Sequence, residues 1–470
     1  MELQKNYFNL EDNSKVDDAE LEAARISSML GDKKATAKLL LWQLSNDGEL
    51  TYSALRYAAL AVRQGHCVIA YILAQLYYDG MPEGAQQISL KQNKEKAFAY
   101  FLKVSYFEAY DYLKELAGDD PCKLKRIKES ACTGYLHPVY NEMFLSLVDV
   151  AGEDIHKLFG YVDLYHNLLK FSIAKRRSIL VTKDSLKMSV SECLSHYTSI
   201  SVLRSILDLS DIEEGGGESV LRLYNIEYSN DPEEGRFVFN SDVLKVLLPY
   251  MDEYDQHNTY VSSFTDSGGD VLNMWRLYGA DGEGVSVTIP TKTLYDVGDC
   301  LTMSCRALQS FMNSEDLQDV IRNENNFCLY KTYYDSEDIR NELQVYLKAI
   351  IDRAKVNGDF DKPEAYSVLM KLFIMSTDEI RFLYKDRGYD IEHEYRLVSY
   401  HAIGSSSLRL DERESPKLYV KSKDVFGNGG VITIGPKVKN RLELKLEIEY
   451  RLKKLGLRDV KVQYSKVSYR

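Results

Sequence analysis

The chain of 470 residues is 45% hydrophobic and 28% charged, which suits two or three globular domains, each with its own core. Its formal net charge of -12 argues against a surface that coats nucleic acid, since phosphate binding needs clustered Lys and Arg, although a local basic groove stays open. No run of about 18 apolar residues occurs and MELQKNYFNLEDNSK lacks a basic-then-apolar leader, so no membrane span and a cytoplasmic location are expected, with delivery by a specialised secretion system left open.

The seven cysteines are scattered, without a C-x-x-C pair or a histidine at zinc-finger spacing, and read as free thiols in a reducing compartment, with no metal expected. Most of the 35 tyrosines fall within apolar periodic runs and read as core and interface filler.

From about residue 18 to 175 the periodicity is helical, broken at Gly31, Asn46-Asp47-Gly48, Gly80 to Gly84, Gly118-Asp119-Asp120-Pro121 and Gly152. The clearest unit is AVRQGHCVIAYILAQLYYDG, where Gly65, Leu73, Ala74, Tyr77 and Gly80 alternate small and large residues along one face. NKEKAFAYFLKV supplies a return helix through Ala97, Tyr100, Phe101 and Val104. Such a hairpin cannot bury its own face and needs stacked neighbours. The glycine before the first helix, the L-A-x-x-Y-x-x-G ending and the K-A-x-x-Y-x-x-K return resemble the Sel-type, tetratricopeptide-related repeats. A weaker echo, SACTGYLHPVYNEMFLSL, places Gly134 69 residues after Gly65. The resemblance implies a curved scaffold over 1–180 that binds a protein partner or target or supports the next domain; an irregular helical bundle is the alternative.

AKRRSILVTKDSLKMSVSE changes character, so a linker is expected over 181–192 and an α+β domain over 193–470. ECLSHYTSI predicts a strand, SVLRSILDL a helix capped by Ser199 or Ser201, and ESVLRLYNIEY an extended segment. NDPEEG reads as a loop and 241–254 as helical. TYVSSFT, GEGVSVTIP, EYRLVSY, GGVITIG and KVQYSKV read as strands, and NFCLYKTYY as extended. DVLNMWRLYG reads as a short helix, RLELKLEIEYRLKKLGL as a longer one, and about 302–385 as a largely helical insertion.

His196 ends the first of these strands among Ser195, Tyr197, Thr198 and Ser199, where it either faces a cleft or serves as a hydrogen-bonded structural histidine. Alternation in DIEHEYRLVSY would put Glu392, Glu394 and Arg396 on one face if the strand starts early enough. Two carboxylates there can stabilise a developing positive charge, while an ion-pair ladder is the plainer alternative. Trp275, Arg276 and Tyr278, after Ser263 and Phe264, offer either an aromatic ledge for a planar, phosphate-bearing ligand or ordinary core packing.

The ordered motifs H-Y-T-S, N-D-P-x-E, M-W-x-x-Y-G and E-x-E-x-R, spanning residues 194 to about 440, resemble an uncharacterised bacterial domain family. That family is in turn similar to the ADP-ribosyltransferase superfamily. The resemblance implies NAD as substrate, with Glu394 stabilising the oxocarbenium ion and Glu392 positioning an acceptor. His196 would orient the adenosine side of NAD, Phe264 and Tyr278 would flank nicotinamide, and Tyr197, Thr198, Ser263, Trp275 and Arg276 would complete the binding residues. It implies transfer to a protein or nucleic acid in a toxin or phage-defence role, or NAD hydrolysis. Two departures stand out: no Ser-Thr-Ser marks the middle strand, and a long, largely helical stretch separates Pro290 from Glu394. The alternatives from other classes are a nucleotide-sensing adaptor without catalysis and a metal-dependent nuclease using His196 and the acidic NDPEE loop. Asn230, Asp231, Glu233 and Glu234 have no role in the superfamily pattern and are read as ordering a loop through an Asx-type turn or binding part of the substrate.

Overall fold

The computed structural model describes residues 18–32, 35–36, 39, 52–65, 67–80, 91–104, 109–133, 138–181, 191–209, 218–229, 231, 233–252, 259–294, 327–334, 337–401, 405–412, 416–426 and 429–469. The described residues divide into two compact units between Val162 and Asp163, inside the helix Ile155–Ser178 and ahead of the stretch 181–192, of which 182–190 lie outside the described residues.

The first unit is helical. Its helices include Tyr52–Arg63, Cys67–Asp79, Lys94–Phe101, Ala109–Ala117, Pro121–Thr133 and Pro138–Ala151, each packed on the next. Ala58, Ala70, Ala74 and Ala97 are buried where helices approach closely. Rings fill the wider gaps, with Tyr77 stacked on Tyr100 at 5.7 Å and Phe101 on Tyr112 at 4.7 Å between centroids. Gly65 and Gly80 take positive φ values of 92° and 72° just past helix ends, a conformation that costs glycine least. The expected break at Asn46-Asp47-Gly48 and residues 134–137 of the weaker echo lie outside the described residues, while the rest of that echo falls in the helices Pro121–Thr133 and Pro138–Ala151.

The second unit is α+β, with a mixed sheet of eleven strands among the described residues. These are β1 (Cys193–Thr198), β2 (Leu207–Asp208), β3 (Glu218–Asn225), β4 (Thr259–Thr265), β5 (Val285–Pro290), β6 (Cys328–Lys331), β7 (Glu394–Tyr400), β8 (Arg409–Asp411), β9 (Lys417–Asp424), β10 (Gly430–Ile434) and β11 (Val460–Tyr464). The main path runs β11-β10-β5-β1-β4-β3-β9-β8, with β7 on β4 and β6 on β7. Among the described strands only the β10–β11 pairing is parallel, and the helix Arg441–Lys454 connects those two strands. Leu444, Ile448 and Leu452, one turn apart, bury that helix against the sheet core.

Alternation sorts the strand side chains onto two faces. Leu221, Leu223, Tyr260, Phe264, Tyr395 and Leu397 belong to one buried apolar cluster. Arg222 and Tyr224 on β3, Ser263 on β4, and Glu394 and Arg396 on β7 therefore point from the opposite face.

Three expectations change. Residues 241–254 form a 3-10 turn, Leu244–Leu247, and a single α turn, Leu248–Met251, because Pro249 has no N–H to continue the ladder; 253–258 lie outside the described residues. Strands β8 and β9 were not anticipated, and β9 pairs with β3 on the main path of the sheet. The insertion resolves into the helices Glu337–Val356 and Pro363–Arg381, while 302–326 lie outside the described residues.

Candidate functional site

The site begins as a fork in the sheet. One edge of β4 pairs fully with β7, from Thr259 opposite Tyr400 to Thr265 opposite Glu394. Its other edge pairs with β3 at Tyr260 and Val261 and with β1 only at Thr265. The carbonyl of Ser263 falls in the gap between these pairings, where His196 Nδ1 lies 2.8 Å away. A carbonyl only accepts, so the proton sits on Nδ1 and the neutral ring offers Nε2 as an acceptor. Burial lowers the His196 pKa below the ordinary value, and the bond to Ser263 opposes this only in part.

A cavity of about 380 Å3 opens at this fork. Its lining includes His196, Tyr197 and Thr198 of β1, Ser263 and Phe264 of β4, Tyr278, and the acidic residues Glu392 and Glu394. The rings of His196 and Phe264 lie 5.7 Å apart at a tilt of 53°.

At one end the N-D-P-x-E and E-x-E-x-R motifs form a single ion network. Arg396, 2% exposed, reaches Glu394 Oε1 and Oε2 at 3.0 Å each and clasps Glu234 at 2.6 and 2.9 Å. Its guanidinium also donates to the carbonyl of Phe382. Lys385 Nζ sits 2.9 Å from Glu392 Oε2 and 3.1 Å from Glu394 Oε2. Tyr278 donates its hydroxyl proton to Glu392, and the amide of Glu394 donates to Tyr334 Oη at 2.8 Å.

Three carboxylates, Glu234, Glu392 and Glu394, thus face two cations, Lys385 and Arg396, for a formal balance of -1. Burial by itself would raise the Glu394 pKa, but the charges of Arg396 and Lys385, with hydrogen bonds from Arg396 and Ser263, bring it down to about 2. Burial would lower the pKa of Lys385, yet Glu394 and Glu392 hold it above the ordinary ammonium value against the repulsion of Arg396. Burial and the bond to Glu392 push the Tyr278 phenol up.

Local conformation aims these groups. Glu394 and Arg396 share a face of β7, but Glu392 precedes the strand in the 3-10 segment Arg387–Glu392. It reaches the cavity because His393 is left-handed, with φ 44°, and not through strand alternation. Gly235, at φ 71°, follows Glu234 where an added Cβ would lie 2.4 Å from Cε1 of Phe382. Only glycine suits that approach, and it lets Glu234 reach Arg396. Asp231 lines the cavity and accepts from Glu233 N at 2.9 Å, which orders the loop; Asn230 and Pro232 lie outside the described residues.

Trp275 and Arg276 are not among the residues lining the cavity. Trp275 is fully buried against Tyr197, ring centroids 4.9 Å apart, and donates Nε1–H to Asp270 at 2.9 Å. Arg276 faces solvent. The expected ledge of Trp275 beside Tyr278 is therefore replaced by a core indole and a cavity phenol. The helix Leu272–Leu277 ends before Tyr278, whose backbone has left the helical region at φ -126°. Tyr197 lines the cavity while its hydroxyl bridges Gly268 O and Val271 N at 2.8 and 2.9 Å.

Lys385, Arg222 and Lys417 also line the cavity, and none stood out in the sequence. Among the described residues, no group of three or more His, Cys, Asp or Glu side chains stands ready to hold a metal ion. No helix among them is long and apolar enough to cross a membrane.

A family described as a protein of unknown function (DUF2971) matches residues 274–397. That segment carries Tyr278, Lys385, Glu392, Glu394 and Arg396, while Glu234, His196 and Ser263 precede it. No curated protein and no solved structure matches the chain.

Proposed function

We propose that the protein cleaves the nicotinamide–ribose bond of NAD and passes the ADP-ribosyl group to an acceptor. The observation that carries this reading is the gathering of His196, Ser263, Phe264, Glu392 and Glu394, from β1, β4 and the entry to β7, around one cavity. As the bond breaks, its electron pair moves to the nicotinamide nitrogen and neutralises the pyridinium, while positive charge develops on the ribose. The excess negative charge of the Glu234, Glu392 and Glu394 network favours that state. The acceptor's nucleophile then attacks the anomeric carbon and gives up its proton, and water as acceptor makes the reaction hydrolysis. In this reading the N-terminal helices act as Sel-type repeats that recruit a protein target or partner, in a toxin or phage-defence setting.

One observation favours a second reading. Both oxygens of Glu394 are already engaged by Arg396, and one also by Lys385, as suits a structural carboxylate in a nucleotide-sensing adaptor.

The test is incubation with NAD labelled on its adenylate, with and without cell lysate, reading free nicotinamide and label on macromolecules, alongside Glu394→Gln and His196→Ala. Nicotinamide release with transferred label, lost in both folded variants, supports the transferase. Release without transfer under a target-rich lysate points to hydrolysis. NAD binding without turnover, unchanged in Glu394→Gln, points to the adaptor.

A further inference from the structure

The end of the cavity away from the carboxylates has the opposite charge. Arg222 and Tyr224 on β3, Tyr228 just beyond it and Lys417 at the start of β9 line it. The Arg222 guanidinium lies over the ring of Tyr419 at 4.7 Å and meets Asp411 Oδ2 at 3.2 Å, while the Tyr224 hydroxyl donates to the same oxygen at 3.0 Å. These contacts fix its plane but use only some of its five donors. The Lys417 ammonium lies 5.4 Å over the Tyr228 ring, and the described residues give it no carboxylate within ion-pair distance. Arg222 and Lys417 outnumber Asp411 here, whereas Glu234, Glu392 and Glu394 outnumber Lys385 and Arg396 at the other end; Asp231 adds one further carboxylate to the cavity lining.

Sheet order sets the separation. From β7 the strands run through β4 and β3 to β9: Arg222 stands two strand spacings across and level with Arg396, about 12 Å of backbone from Glu394, and Lys417 stands three spacings across and level with Tyr400, about 25 Å, at ~4.8 Å per strand and ~3.4 Å per residue, so the long side chains of both cations must reach back along the cavity. An anionic group is repelled by the carboxylate end and attracted to the guanidinium and ammonium, whereas a centre that becomes positive prefers the reverse.

We propose that Arg222 and Lys417 form an anion subsite for the phosphate or diphosphate of a nucleotide-type substrate, which orients it with its glycosidic carbon toward Glu392 and Glu394. The subsite rests on the proposed function for its second half only. The diphosphate group is recognised by the two cations whether or not the bond beyond it is cleaved.

The experiment is isothermal titration of the full chain with inorganic pyrophosphate, ADP and adenosine at fixed ionic strength, repeated with Arg222→Gln and Lys417→Gln and paired with the NAD-cleavage assay. Near-ultraviolet circular dichroism of each variant checks folding, and Lys417→Gln guards against loss of the Arg222–Asp411 contact. The expected result is that pyrophosphate competes with ADP, adenosine binds at least tenfold more weakly than ADP, and each substitution weakens ADP by about tenfold. Loss of ADP affinity in the variants without any NAD cleavage by the parent keeps the subsite and removes the transferase reading. Cleavage of NAD by both variants at the parental KM, or ADP affinity unchanged in both, overturns the subsite and leaves that reading standing. Absence of both pyrophosphate and ADP binding to the parent chain overturns it as well.

Discussion

Arg396 grips Glu234 through two parallel hydrogen bonds, 2.6 and 2.9 Å, although 162 residues separate them in the chain. Both side chains are buried, at 2% and 6% exposure, so the pair is desolvated and depends on full mutual satisfaction. Glu234→Gln removes a charge from Arg396 while keeping volume, and Arg396→Met strands Glu234 and Glu394 together. Arg396→Met should destabilise the second unit by about 3–5 kcal/mol, the usual consequence of stranding buried partners, and Glu234→Gln, which leaves Arg396 paired with Glu394, by a smaller amount of about 1–3 kcal/mol. Urea unfolding followed by tryptophan fluorescence checks this, and a change below about 1 kcal/mol would contradict the pairing.

Lys385 holds two carboxylates at once, Glu392 at 2.9 Å and Glu394 at 3.1 Å. Lys385→Met should raise the pKa of Glu394 above its value of about 2, because the ammonium is one of the charges holding it down. Any activity that needs ionised Glu394 should therefore begin to fail at a higher pH on its acid limb in the variant. A pH–rate profile of kcat/KM, compared between parent and Lys385→Met, reads this shift, and coincident acid limbs would remove Lys385 from the positioning of Glu394.

Acid stability follows from the same residue. The folded-state pKa of Glu394, about 2, lies below the usual 4.5, so its ionised form stabilises the fold above the unfolded value, and that contribution is lost as pH falls from near 4.5 through 2. The full difference corresponds to on the order of 3 kcal/mol. Glu394→Gln should be less stable than the parent at pH 7 and lose less stability between pH 5 and pH 2. Urea midpoints across that range check the slope.

Much of the sheet was readable because its strands bury one face. HYT, VSSFT, GVSVTI, EYRLV and GVITI alternate or run apolar as a half-buried or central strand must. The sequence of β9, KLYVKSKD, carries four charges in eight residues and reads as a surface loop until its pairing with β3 is known. The N-D-P-x-E and E-x-E-x-R motifs were legible as motifs. That Glu234 pairs with Arg396 was not, because no local period encodes a contact across 162 residues. Lys385 follows Leu383 and Tyr384 in an ordinary-looking helix exit and carries no signal of its own. Glu392 looked like a strand residue, while its approach depends on the left-handed turn at His393.

Trp275 separates the core reading of M-W-x-x-Y-G from the ligand reading. Its indole is fully buried, packed edge-on to Tyr197 and bonded to Asp270, whose oxygens also accept from Ser465 Oγ at 2.5 Å and Lys466 N at 2.7 Å. The indole thus ties the helix Leu272–Leu277 to the segment after β11. Truncation leaves a large void and removes one of the donors to Asp270, so Trp275→Ala should cost about 3–5 kcal/mol. Trp275→Phe should retain most of the packing and lose chiefly the bond to Asp270, about 1–3 kcal/mol. Neither substitution removes a group that lines the cavity, so in the folded Trp275→Phe variant ligand affinity should stay within about twofold of the parent. Tyr278→Phe, by contrast, deletes the hydroxyl that bonds Glu392 inside the cavity and should change ligand affinity or turnover with little loss of stability. Urea unfolding and ligand titration on the same three variants distinguish the roles. A Trp275→Phe protein that folds as tightly as the parent yet binds tenfold more weakly would place the indole in recognition after all.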